Sequence, residues 1–116
     1  MNYDSGVFDQ FKEPGRNYQI FEATTEGMNA AALYDVKQKD LMLCRELNPA
    51  DWEKELKKNK RGFVIVANNQ IFHRDITGYD PVKKIISCES RNKEKSGILQ
   101  LKLEYTQIFE VEKVSG

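Results

Sequence analysis

Between Phe63 and Thr77 two runs of strand-favouring residues are separated by a pair of asparagines. The first run, Phe63-Val64-Ile65-Val66-Ala67, is apolar throughout and rich in β-branched side chains, which suit a pleated surface better than a helix. Asn68-Asn69 offers two residues that tolerate a left-handed backbone, as a two-residue hairpin turn requires. The second run, Gln70 to Thr77, returns with polar and apolar residues mixed. Period-two alternation puts Phe72, Arg74 and Ile76 on one face and Ile71, His73 and Asp75 on the other. A chain with such a hairpin at its centre is committed to a sheet.

The flanking segments agree. Tyr18 to Thr24 and Asp40 to Glu46 read as strands, the second buried on both faces for most of its length. Gly78-Tyr79-Asp80-Pro81 reads as a turn and Lys84 to Glu89 as a strand. Ser90 to Ser96 is a charged loop. Ile98 to Val114 supplies one or two more strands, with Leu101, Leu103, Ile108, Phe109 and Val111 as core. One helix is expected near 49–60: Asn48 caps, Pro49 suits the first position, Asp51 lies in the first turn, and Gly62 stops the helix after a basic run. Trp52 and Leu56 share a face, and Glu53 and Lys57 pair across one turn. Thr25 to Lys39 stays ambiguous, with a short helical turn possible at Ala30-Ala31-Ala32-Leu33. Residues 1–17 read as an extended arm anchored by Phe8 and Phe11, and 18–116 as one domain. Six or seven short strands around one helix make a mostly β domain, a compact, partly open barrel or sandwich.

The chain has 18 basic and 18 acidic residues, so no global field draws it to nucleic acid or a membrane surface. A local patch would have to do so. The two cysteines, Cys44 and Cys88, are isolated, and there is one histidine, too few ligands for a zinc site. Packed, reduced thiols are the expectation, with no cofactor and no metal. The first residues carry neither a basic n-region nor an apolar h-region, and no stretch reaches transmembrane length. The expected location is cytoplasmic.

Four blocks carry a likeness. Ile20-Phe21-Glu22-Ala23-Thr24 leads into Thr25-Glu26-Gly27-Met28. Lys39-Asp40 leads into the apolar run Leu41 to Glu46. The hairpin's second strand holds Ile71-Phe72-His73-Arg74-Asp75-Ile76, and Gln107 to Val114 closes the chain. In this order and spacing they resemble the peptidase-like domain of the LexA-type self-cleaving repressors, shared with phage repressors and more distantly with signal peptidases. The likeness covers about Tyr18 to Val114. It implies a partly open β-barrel, a serine nucleophile in a Gly-Asp-Ser-Met turn and a lysine base on the hairpin. Here Gly27 stands at the serine position and Arg74 at the lysine position, with Glu26, Met28 and Phe72 as their cleft neighbours. The family's DNA-binding helix-turn-helix is not among these residues, nor is an Ala-Gly or Cys-Gly cleavage site in the arm.

Both replacements remove chemistry. Glycine has no hydroxyl to attack a carbonyl. A guanidinium stays protonated at any ordinary pH, so Arg74 is no base. Gly27 and Arg74 should be neighbours in space if the likeness holds. Arg74 either pairs with Glu26 or snorkels to solvent. Thr24 or Thr25 as a shifted nucleophile, and His73 as a different base, are weaker alternatives.

The reading that follows is a catalytically inactive peptidase-fold domain acting as an oligomerisation or regulatory binding module, linked to transcriptional or phage-type regulation. The likeness implies a homodimer, and the apolar Ile108, Phe109 and Val111 could form an exposed edge or interface for it. A protein or peptide partner fits the same reading. Two alternatives stand beside it: self-cleavage through unrecognised residues, and DNA contact through Lys57, Lys58, Lys60 and Arg61.

Overall fold

A computed structural model describes residues 12–23, 39–56, 59–91, 98–104 and 106–115. Seven strands form one open antiparallel sheet: β1 (Tyr18–Glu22), β2 (Leu41–Glu46), β3 (Phe63–Ala67), β4 (Gln70–Asp80), β5 (Ile85–Glu89), β6 (Ile98–Lys102) and β7 (Gln107–Ser115). Their order is β1-β2-β7-β3-β4-β5-β6, so β1 and β6 are the edges. The mostly β architecture, with one helical segment among the described residues, is the one expected.

The hairpin forms as the asparagines dictate. Ala67 pairs with Gln70, and Asn68 and Asn69 hold φ of 51° and 62°. Two consecutive left-handed residues let the turn follow the right-handed twist of its strands.

Strand β3 is buried on both faces, which is why it reads as an apolar run, and β7 buries Ile108, Phe109 and Val111 to both sides. Phe63, Ile65 and Ile108 join Trp52, Ile76 and Ile86 in one core. Val64, Phe109 and Val111 turn the other way, onto Met42, Cys44 and Ala23. Phe21 and Phe109 meet edge to face there, centroids 5.2 Å apart. Cys44 and Cys88 are free and buried, one in each core.

Three expectations are corrected. The helix is a 3₁₀ turn, Pro49–Asp51, followed by one α turn, α1 (Trp52–Glu55). Asn48 does cap, its Oδ1 accepting from Ala50 N at 3.0 Å. But Leu56 leaves helical geometry at ψ 53°. Beyond Leu56 the sequence has no apolar side chain to bury until Phe63, and short helices depend on such burial. Second, β4 does not stop at Gly78. Gly78 pairs with Ser87 beyond a bulge, and a Cβ there would meet Ser87 Cβ at 3.4 Å. The glycine serves the bulge, not a turn. The turn falls at 81–84, where Asp80 Oδ1 accepts from Val82 N and Lys83 N, both at 3.0 Å. Third, Ile108, Phe109 and Val111 form no exposed edge. Strand β7 pairs with β2 on one side and β3 on the other, and all three side chains lie in the chain's own cores.

Candidate functional site

Cross-strand partners share a face of the sheet. Ile65 pairs with Phe72 and Phe63 with Arg74, so both β4 side chains lie on the side of the Phe63 core. The Arg74 guanidinium carbon stands 6.0 Å from the Phe72 ring centroid. One terminal nitrogen donates to the His73 carbonyl at 2.8 Å. The Nε is buried with no hydrogen-bond partner. Arg74 forms no ion pair with any described residue. Burial lowers its pKa and the nearby Cys88 acts the other way, but the side chain stays a cation. Glu26, Gly27 and Met28 lie outside the described residues, as do Thr24 and Thr25. The pairing of Arg74 with Glu26 and its neighbourhood to Gly27 lie there too.

The groups around Arg74 are poor catalysts. Burial pushes the Cys88 thiol up to about 12, with Arg74 pulling it down only in part, so it is no nucleophile near neutral pH. His73 is cross-strand to Val64 and lies on the opposite face. Its Nε2 donates to the Arg61 carbonyl at 2.8 Å, and burial lowers its pKa to about 4. Asp75, on that face, is held by Arg91 through two bonds of 2.8 and 2.9 Å. What the Arg74 face can do is donate hydrogen bonds to an incoming carboxylate or carbonyl.

A second polar centre was not legible in the sequence. Arg45 of β2 is buried among three glutamates: Glu110 at 2.7 Å, Glu112 at 3.0 Å and Glu55 at 3.4 Å. The Glu112 contact involves Nε, which is close enough to pair but not aligned as a hydrogen bond. Burial lowers the Arg45 pKa, but Glu110 and the other carboxylates outweigh it and the net shift is upward. Asn59 Nδ2 donates to the free oxygen of Glu110 at 2.6 Å. The only sequence signal was Glu110 and Glu112 two apart, interleaved with the apolar Phe109 and Val111.

Of the basic run, Lys57 and Lys58 lie outside the described residues. Lys60 and Arg61 line a groove of about 420 Å³ together with Glu55, Glu110 and Glu112. Lys54 stands on the same groove, so cations and carboxylates alternate along it. No described helix is long and apolar enough to cross a membrane.

The fold and this face define a mostly β, open-sheet domain with a half-buried arginine that forms no ion pair with any described residue. No family model matches the chain, and no curated protein or solved structure does so either.

Proposed function

We propose that this is a catalytically inactive domain of the LexA-type peptidase class that acts as a regulatory binding or oligomerisation module. The observation that carries the reading is Arg74. It occupies the strand on which the family's likeness puts the base, faces the core side of the sheet, and has no carboxylate partner among the described residues. A guanidinium there cannot deprotonate a nucleophile, yet it keeps donors to offer a partner's carboxylate or carbonyl. A peptide partner, a homodimer and action in the cytoplasm belong to this proposal.

The buried β7 constrains how a dimer would form. Among the described strands β1 and β6 are the edges of the sheet, and the first half of β4, 70–74, pairs with β3 alone, so strand-to-strand association would use one of these. The DNA-contact reading is disfavoured by the carboxylates beside Lys60 and Arg61.

A serine-reactive phosphonate, followed by intact-mass measurement, tests the absence of catalysis. No adduct is expected, and no specific fragment after long incubation at alkaline pH. A stoichiometric adduct, or a fragment abolished by one substitution, would overturn the reading. Light scattering over micromolar concentrations should return twice the 13.5 kDa chain mass.

A further inference from the structure

At the far end of the Trp52 core the sheet opens into a cavity of about 550 Å³. Its floor is apolar, from Trp52, Tyr79, Ile85 and Leu103, and its rim carries Lys83, Lys84 and Lys102 against one carboxylate, Glu104. The three lysines are exposed, and none of their ammonium groups forms a hydrogen bond or ion pair with a described residue. In a chain of zero net charge, such an unpaired cluster is a local excess.

The walls are built in advance. The Asp80 carboxylate ties down the turn that carries Lys83 and Lys84. Lys84 sits at φ 55°, a strained setting for a residue other than glycine. Its carbonyl accepts from Leu103 N at 2.9 Å, which joins the turn to the end of β6. Thr106 Oγ1 donates to the Lys102 carbonyl at 2.6 Å and secures the other wall. Trp52 Nε1 donates to the Leu47 carbonyl at 3.2 Å, fixing the indole in the floor. Lysine on an edge strand also discourages sheet-to-sheet pairing, which accounts for Lys102 on β6. It does not account for Lys83 and Lys84, which lie in a turn.

We infer that this cavity is a binding site for an acidic peptide segment, with one large apolar side chain in the floor and flanking carboxylates on Lys83, Lys84 and Lys102. An apolar floor with few convergent polar groups is the usual form of a ligand site, and the charge selects the partner's sign. The site does not depend on the Arg74 proposal. It stands if the peptidase likeness is wrong, and its test reads a different face.

Trp52, the chain's one tryptophan, is the reporter. The full chain is titrated with synthetic octapeptides holding one central phenylalanine flanked by aspartate and glutamate, at low salt. A saturable change in Trp52 fluorescence is expected, with a Kd on the order of 10⁻⁵ M, weakening as salt screens the rim. Lys83→Glu with Lys102→Glu should raise Kd about tenfold or more, since reversal turns attraction into repulsion. Near-UV circular dichroism checks that the variant is folded, and Lys83→Ala with Lys102→Ala serves should it not be. The inference fails if no peptide gives a saturable signal, or if lysine-flanked peptides bind equally well. It fails too if the folded variants bind like the parent, or if only phosphatidylserine vesicles move the fluorescence.

Discussion

Arg45 on β2 and Glu110 on β7 are direct cross-strand partners, their charged groups 2.7 Å apart although 65 residues separate them in sequence. Glu112 reaches the same guanidinium because the ladder slips between Leu43 and Cys44, so that Lys113 and Val111 face them in turn and Glu112 faces no one. One cation thus holds three carboxylates at the junction of two central strands and the α1 turn. Removing one partner from such a site leaves charge without compensation. Arg45→Met should therefore cost about 3 kcal/mol, read as a fall in the urea midpoint with unchanged slope. Glu55→Gln, on the partner with the longest contact at 3.4 Å, should cost under about 1 kcal/mol.

Arg74 should behave in the opposite way. Its buried Nε has no partner and its one hydrogen bond goes to the adjacent carbonyl. An unmet buried donor costs about 1–3 kcal/mol. Arg74→Met keeps the length and removes the donor. The variant is expected to be at least as stable as the parent in urea, by up to about 1 kcal/mol. A large loss would mean that Arg74 is a structural side chain with no spare donors for a partner.

His73 sets an acid limb of stability. Burial lowers its pKa from 6.5 to about 4, and Arg91 and Arg74 add to that while the Arg61 carbonyl and Asp75 act against it. The unfolded chain therefore binds a proton between pH 6.5 and about 4 that the folded chain refuses. Stability should be full above this window and fall as the pH drops through it. The ring keeps some solvent exposure, so the loss is about 2 kcal/mol. His73→Gln should flatten that slope in urea melts run at pH 7, 5.5 and 4.5.

The hairpin turn gives a local prediction. Asn69 holds φ 62°. Asn69→Ala should cost about 1 kcal/mol, because alanine pays the full left-handed penalty. Asn69→Gly should be neutral or stabilising. Thermal unfolding of the pair reads the difference.

Ile108 distinguishes core from interface. It is 0% exposed on a strand paired on both sides, whereas Ile98 on edge strand β6 is 71% exposed. Ile108→Asp should unfold the chain, with loss of near-UV circular dichroism, and not merely split an oligomer. Ile98→Asp should stay folded.

The elements legible in the sequence were those set by near neighbours. Phe63 to Ala67, Asn68-Asn69 and the residues after them make a hairpin because β propensity and turn chemistry act within a few residues. Asn48 caps its turn for the same reason. The helix was overread because capping signals start a helix but do not sustain one, and only Trp52 and Leu56 had a core to bury against. Gly78 was misread because a glycine marks a bulge or a turn equally well, and only the Ser87 backbone opposite decides which.

The position of β7 was out of reach of any local pattern. Its alternation of Ile108, Glu110 and Glu112 with Phe109 and Val111 says that both faces are used, but not what covers them. The tertiary structure put β7 between β2 and β3, which buried the stretch expected at an interface and brought Arg45 to Glu110. The same closure set Trp52 and Tyr79 beneath Lys83, Lys84 and Lys102. Sequence by itself determined strand, turn and cap, whose free energies are spent within a few residues. Which strands lie side by side, and so which charges meet, depends on burying both faces of one sheet at once, and that is a property of the whole chain.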